Sequence, residues 1–204
     1  MANRALLLAL DSTDPPWDHD GRYFRGALLG ANYSVPILWL SLFGTDGLVT
    51  WPGLHDGSPY TTVVQPRSEC IERSRTRLED WSHRWPEVFG DMSELWLGYI
   101  GAVKNAYLAV WTEELTWLSG DEGWAAELRA YLSCLDDPES ADFRKTLPQS
   151  YVYTSGNRLE PFDTVGLVTA GYTWARQAPW EGAGHGPFWQ GPTGDHSGCR
   201  ICGR

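Results

Sequence analysis

Residues 5–10 read Ala-Leu-Leu-Leu-Ala-Leu and are followed by Asp-Ser-Thr-Asp-Pro-Pro at residues 11–16. An apolar run that stops at a turn-rich stretch is typical of a buried β-strand followed by a loop. The next apolar stretch, residues 23–29, predicts a second strand, in which Gly26 and Gly30 suit a bend or a close approach of two backbones. The fold prediction therefore begins with a buried N-terminal strand.

A short core helix is predicted next. Residues 37–43 are apolar at every position except Ser41. Ser34 suits the N-cap, Pro36 the first turn and Gly44 a left-handed C-terminal position. A helix that is apolar on nearly all sides belongs in a core.

Residues 48–51 and 60–64 are short runs with the composition of β-strands. Pro-Gly and Asp-Gly-Ser-Pro lie between these runs and predict a loose hairpin. The pattern then becomes helical from Pro66 up to Pro86, with Arg77 among the charged residues that lie off the apolar stripe. That stripe consists of Ile71, Ser74, Leu78, Trp81 and Trp85.

Further helices are predicted over residues 93–118 and 121–135, and a late strand over residues 165–172. Strands and one core helix thus precede a central helical block, and C-terminal strands complete the sheet, which indicates an α+β fold. Residues 175–204 contain seven Gly and three Pro. We expect one domain over residues 1–174 and an irregular Gly/Pro-rich tail over residues 175–204.

The charge of the chain is concentrated in one stretch. Residues 85–142 hold twelve of the 26 acidic residues and two of the 16 basic ones, and so carry the whole net charge of −10. Such a field repels nucleic acid and anionic lipid and attracts basic partners. No apolar run approaches the roughly 20 residues of a membrane span, and the first apolar run is too short for a signal peptide. We expect a cytoplasmic protein that binds neither nucleic acid nor a membrane.

Motifs for catalysis are missing from the sequence: it has no phosphate-binding loop, dinucleotide fingerprint, His-Glu-x-x-His or Gly-x-Ser-x-Gly. His196, Cys199 and Cys202, with His185 as a fourth ligand, are candidate zinc ligands. Structural zinc sites usually combine two such pairs, so we predict reduced thiols in a tail, no metal and no cofactor. Cys70 and Cys134 lie on apolar helical faces and are expected in the core.

Five of the twelve tryptophans also lie in residues 85–142. Aromatic rings beside carboxylates are good anchors for Arg- or Lys-rich surfaces. The same pattern fits a solvated acidic face over a Trp-rich core. The residues that we predict to bind a partner are Glu113, Glu114, Trp117, Asp121, Glu122, Asp136, Asp137 and Glu139.

Two segments resemble a known family. Residues 1–4 read Met-Ala-Asn-Arg, and residues 32–38 read Asn-Tyr-Ser-Val-Pro-Ile-Leu. They resemble small, largely uncharacterised bacterial cytosolic proteins that open Met-Ala-Asn-Arg-Ser-Tyr-Leu-Tyr and carry Trp-Asn-Tyr-x-Ile-Pro-Leu before a core helix. Some members look like immunity proteins of polymorphic toxin systems. The resemblance covers about the first 45 residues, and the positions that depart from it are Ala5, Leu6, Leu8 and Ala31.

The resemblance implies a first strand and a capped helix, and no catalytic residues. Together with the acidic stretch it predicts an immunity protein that neutralises a cognate toxin, with a basic surface, by covering the toxin's active surface. The alternative is an enzyme or small-molecule-binding protein with a dispersed site, in which zinc would bind at the C-terminal tail. A third hypothesis is a structural protein without a toxin partner.

Overall fold

One antiparallel sheet organises the chain in the computed structural model, which describes residues 4–17, 26–32, 35–54, 56–140 and 172–173. The strands are β1 (Arg4–Leu10), β2 (Ala27–Asn32), β3 (Leu48–Pro52), β4 (Pro59–Pro66), β5 (Tyr107–Trp111) and β6 (Tyr172–Thr173), in the spatial order β3-β4-β5-β1-β2-β6. The helices are α1 (Ile37–Leu40), α2 (Arg67–Arg84), α3 (Pro86–Ala102), α4 (Glu113–Ser119) and α5 (Asp121–Cys134). The predicted α+β class is confirmed.

Strand β1 lies inside the sheet and is buried on both faces. Leu7 packs in the larger core with the helices, and its neighbour Leu8 packs in a second cluster on the opposite face. Successive side chains of a strand point to opposite faces, so a strand that is covered on both sides needs an unbroken apolar run. This requirement explains the composition of residues 5–10 and confirms the predicted buried strand.

Strand β5 corrects a prediction. Residues 93–118 do not form one helix: α3 ends at Ala102, β5 follows, and α4 begins at Glu113. β5 pairs with both β1 and β4, and Leu108, Ala109 and Val110 are buried. A short strand that is buried on both faces lacks the alternation of apolar and polar residues that distinguishes a strand from a helix. Its conformation is set by pairing with strands that are distant in sequence.

Gly26 marks a close approach of two backbones, as predicted. The Ala9 amide donates a hydrogen bond to the Gly26 carbonyl oxygen at 2.8 Å, and a Cβ atom on Gly26 would lie 1.9 Å from the Ala9 carbonyl oxygen. Its φ of 73° also favours glycine. Strand β2 begins directly after it, while residues 23–25 of the predicted strand lie outside the described part of the chain.

The core helix is shorter than predicted. All four residues of α1 are buried, but the helix ends at Leu40, and residues 41–42 form a turn. The Ser41 hydroxyl donates to the Leu38 carbonyl oxygen at 2.6 Å and also contacts the Ser74 hydroxyl at 2.7 Å. These side-chain hydrogen bonds compete with continued helix formation. Ser34, the predicted N-cap, lies outside the described residues.

Strands β3 and β4 form the predicted hairpin, and their register pairs Trp51 with Tyr60. Helix α2 is also confirmed and gives way to α3 at Pro86, where proline suits a first helical turn. The prediction for Arg77 is wrong: the sequence places it off the apolar stripe of the helix, but its side chain is buried. Its hydrogen bonds, described below, explain why burial is tolerated.

The predicted late strand is described only at Tyr172–Thr173, where β6 pairs with β2. Residues 165–171 of the predicted strand and the predicted tail at 175–204 lie outside the described residues.

Cys70 and Cys134 are buried, as predicted, and burial raises the pKa of the Cys70 thiol to about 12. Within the ranges that the structure describes, no helix is long and apolar enough to cross a membrane.

Candidate partner-binding surface

The eight residues predicted to bind a partner lie in three different environments. Glu113 and Glu114 are buried at the start of α4, with 4% and 3% of their surface exposed. Asp136 and Glu139 form ion pairs with arginines of α2. The remaining four residues, Trp117, Asp121, Glu122 and Asp137, are exposed.

Glu113 holds the loop between β3 and β4. Its Oε2 atom accepts hydrogen bonds from the Leu54 amide at 2.8 Å and from the Trp111 indole Nε1 at 3.2 Å. A Cβ atom on Gly53 would lie 2.9 Å from both Glu113 Oε1 and the Ser58 carbonyl oxygen, so the loop passes the carboxylate at a point where a side chain would force a neighbour to shift. Hydrogen bonds of this kind offset the cost of burying a charge. In this structure Glu113 therefore stabilises the hairpin loop.

Tyr60 lies in the second cluster, close to Glu113. Its hydroxyl is buried and has no hydrogen-bond partner among the described residues. The Trp51 ring packs edge-on against Tyr60, with ring centroids 6.4 Å apart, and Trp17 packs edge-on against Trp51 at 6.0 Å. Burial raises the pKa of Tyr60, and the charge of Glu113 raises it further. The phenol is therefore protonated and neutral, and sequence patterns gave no signal that these residues would meet.

Asp136 neutralises the buried Arg77. Its two carboxylate oxygens accept hydrogen bonds from Arg77 Nε at 2.7 Å and Nη2 at 3.0 Å. Arg77 Nη1 donates in addition to the carbonyl oxygens of Leu40, Ser41 and Phe43 at 3.3, 3.1 and 2.6 Å. The hydrogen bonds from Arg77 hold the pKa of Asp136 below its usual range. Arg77 and Asp136 thus join α2 to the end of α1 and to the segment after α5.

Glu139 makes a second connection to α2, an ion pair with Arg84, which also pairs with Asp80 at 2.9 Å. These side chains are substantially exposed, and surface ion pairs contribute about 0–1 kcal/mol. Asp137 lies between the two connections and is exposed, with its amide bonded to the Cys134 carbonyl oxygen at 3.1 Å.

The α4–α5 junction, defined as Trp117, Asp121 and Glu122, is different. Trp117 is 48% exposed, and only one other large apolar side chain among the described residues, Leu95, is exposed to a similar extent. Asp121 and Glu122 occupy the exposed first turn of α5, where carboxylates are favoured by the helix dipole. Neither has an ion-pair partner within the described ranges.

The described residues contain no group of three His, Cys, Asp or Glu side chains that would hold a metal ion. His185, His196, Cys199 and Cys202, the candidate zinc ligands, all lie outside them.

No protein-family model, no curated protein and no solved structure matches this chain. The resemblance carried by residues 1–4 and 32–38 therefore stays a prediction.

Proposed function

We propose that this chain is an immunity protein, which binds a cognate antibacterial toxin domain and neutralises it without catalysis. One observation carries the proposal: an exposed tryptophan, Trp117, is followed four and five positions later by two exposed carboxylates that form no ion pair among the described residues, Asp121 and Glu122, in the stretch that carries the net charge of −10. A toxin with a basic surface is the partner that complements this junction.

The α4–α5 junction has two roles in such a complex. Tryptophan is enriched among the few interface residues that supply most of the binding energy, because it buries a large apolar area. Unpaired carboxylates attract a basic partner over distance and raise its association rate. Rapid capture suits a protein that must inhibit a toxin before the toxin acts.

The remaining parts of the proposal come from the sequence. We place the protein in the bacterial cytoplasm, with neither nucleic acid nor a membrane as its partner. The resemblance of the first 45 or so residues to proteins of polymorphic toxin systems supports this setting.

Growth protection tests the proposal. The chain is co-expressed with the toxin domain encoded beside its gene, and bacterial growth is measured for the wild type and for Asp121→Lys/Glu122→Lys. We expect the wild type to restore growth and the charge-reversed variant to restore it less. Glu79→Lys/Glu94→Lys is the matched control, because both residues are exposed and carry the same charge on other helices. Failure of the wild type to bind the toxin or restore growth would refute the proposal.

The second candidate function is the alternative that the sequence leaves open, an enzyme or small-molecule-binding protein with a dispersed site. In the sequence this alternative includes zinc at the tail. Metal analysis of the purified protein tests the zinc part: stoichiometric zinc that is lost in Cys199→Ser/Cys202→Ser would favour it. Growth protection that survives this double substitution would favour the immunity function.

A further inference from the structure

Thr112 lies directly before α4 and connects two other elements of the fold. It is fully buried, and its hydroxyl group donates a hydrogen bond to the Thr61 carbonyl oxygen of β4 at 3.2 Å. The same oxygen accepts a hydrogen bond from the Trp124 indole Nε1 of α5 at 3.1 Å. A threonine hydroxyl can donate one hydrogen bond and accept others at the same time. Thr112 therefore links the sheet to α5 through a single oxygen atom.

This contact replaces the local role that threonine usually has at such a position. Thr112 is the N-cap residue of α4, and a threonine there commonly accepts a hydrogen bond from a backbone amide of the first turn. The structure describes residues 113–117, and the Thr112 side chain makes no capping bond to them. Because the hydroxyl is directed at β4 and α5 instead, it stabilises the packing of elements and not the helix that it begins.

Trp124 carries this link to the first turn of α5. Its backbone amide donates to the Gly120 carbonyl oxygen at 2.9 Å, and the turn that this bond closes contains Asp121 and Glu122. Trp124 is 5% exposed and packs in the larger core. Apolar packing is non-directional, whereas a hydrogen bond prefers a defined distance and angle. The bond to Thr112 therefore restricts the rotation of α5 about its own axis.

The covalent connection between α4 and α5 restricts that rotation only weakly. Gly120 is the residue between the two helices, and its φ of 73° lies in the region that favours glycine. Glycine has more backbone freedom than any other residue, so it does not by itself set the angle between the helices. Thr112 and Trp124 join the start of α4 to α5 across this connection.

We propose that Thr112 is a positioning residue for the α4–α5 junction: through Trp124 it fixes the first turn of α5 before a toxin binds. That turn holds two of the three residues of the junction, Asp121 and Glu122. The inference rests on the proposed function, in which the junction is the surface that the toxin contacts. A surface that is already ordered loses less conformational entropy on binding, so Thr112 raises the affinity although it is buried.

Two substitutions in the full chain test this role. Thr112→Val keeps the shape of the side chain but removes the hydroxyl, and Trp124→Phe keeps an aromatic ring but removes the indole N–H. Titration calorimetry gives their affinities for the toxin domain encoded beside the gene. We expect Thr112→Val to weaken binding by about 5-fold, which corresponds to ordering one side chain. The double variant should bind no more weakly than Trp124→Phe, because the same hydrogen bond is already lost there.

Hydrogen exchange shows whether the bond itself is broken. The indole N–H signal of Trp124 in the NMR spectrum is assigned by its loss in Trp124→Phe. In Thr112→Val it should exchange with solvent about 10-fold faster than in the wild type, as expected for loss of one buried hydrogen bond. Thr112→Ser keeps the hydroxyl and should restore both slow exchange and affinity.

Ser74→Ala is the matched control. Ser74 is also a buried hydroxyl, but it contacts the Ser41 hydroxyl at 2.7 Å, between α2 and the turn after α1. Its substitution removes a buried hydrogen bond and should leave the Trp124 signal and the toxin affinity unchanged. Equal weakening of toxin binding by Ser74→Ala and Thr112→Val would overturn the positioning role.

The outcomes separate this inference from the proposed function. If Thr112→Val speeds exchange at Trp124 but binds the toxin as tightly as the wild type, the positioning role is wrong and the immunity function stands. If Thr112→Val does not fold, Trp124→Phe decides instead, and unchanged affinity in that variant overturns the inference. If the wild type does not bind the toxin, the immunity function is wrong and the positioning role is wrong with it.

Discussion

The two ends of helix α5 carry acidic residues with opposite relationships to the rest of the molecule. At its N-terminal end, Asp121 and Glu122 are exposed and have no ion-pair partner among the described residues. Beyond its C-terminal end, Asp136 and Glu139 are paired with Arg77 and Arg84 of α2. The four carboxylates carry the same charge, but Asp136 and Glu139 already form ion pairs within the protein.

This difference shows why counting charges in the sequence overestimates the number of residues that are available to bind a partner. The sequence places twelve acidic residues between positions 85 and 142, and all of them contribute equally to the net charge. Among the acidic side chains that the structure describes, some are buried, some are paired and some form no ion pair, and only the last group can bind a basic partner without first breaking an internal contact. We therefore expect substitutions beyond the C-terminal end of α5 to affect stability, and those at the N-terminal end to affect binding.

The largest effect is expected at Arg77. Arg77→Met keeps much of the side-chain volume, but it leaves the carbonyl oxygens of the α1 turn and Asp136 without their donor. A buried acceptor that loses its donor costs about 1–3 kcal/mol of unfolding free energy, and three carbonyl oxygens lose the same donor here. Urea denaturation measures this quantity. Arg75→Met is the control, because Arg75 forms an exposed pair with Glu72 on the same helix; losses of similar size would contradict the assigned role.

Charge reversal at the junction should give the next largest effect. Asp121→Lys/Glu122→Lys replaces attraction by repulsion, and we expect the affinity for the toxin domain to fall by about 10- to 100-fold, or roughly 1.4–2.8 kcal/mol. Titration calorimetry measures the affinity. Glu79→Lys/Glu94→Lys should reduce it far less, and an equal reduction would mean that net charge alone governs binding.

Removal of the Asp136 charge should have a smaller effect that depends on pH. The hydrogen bonds from Arg77 lower the pKa of Asp136, so their contribution is complete above the unfolded value of about 3.9 and is lost as the pH falls through the lowered folded value. We expect Asp136→Asn to cost about 1 kcal/mol at pH 7, because the side chain is 72% exposed and partly screened. Below about pH 4 the difference from wild type should shrink.

Denaturation at pH 7, 4 and 3 measures this dependence. Asp137→Asn is the neighbouring control, since Asp137 has no ion pair within the described ranges. A constant difference between Asp136→Asn and wild type at all three pH values would contradict the coupling to Arg77.

The smallest effect is expected at Glu139. Its pair with Arg84 is exposed, and Arg84 retains Asp80 when Glu139 is changed. Glu139→Gln should therefore cost at most about 0.5 kcal/mol in urea denaturation. A loss that approaches the one at Arg77 would mean that both connections to α2 are structural.

Local sequence patterns predicted the elements whose signals are local. The turn residues between positions 52 and 59 indicated the hairpin, and the apolar steps up to Pro86 indicated α2. Strand β5 could not be predicted in this way, because residues 107–111 become a strand only by pairing with β1 and β4, which lie far away in the sequence.

The same reason limits prediction of the site. Asp121 and Glu122 could be recognised as exposed, because they begin a helix. The burial of Glu113 depends on the Leu54 amide, 59 positions away, and that of Arg77 depends on Asp136. No periodicity or motif encodes such contacts, so the sequence grouped all eight residues into one surface.

Association kinetics test most directly the claim that the unpaired carboxylates bind the toxin and the paired ones do not. Rate constants for association with the toxin domain encoded beside the gene are measured over a range of ionic strength. We predict that Asp121→Asn/Glu122→Gln slows association at low salt and flattens its salt dependence, while Asp136→Asn/Glu139→Gln leaves both close to wild type. The reverse pattern, or equal effects of the two double variants, would contradict the account.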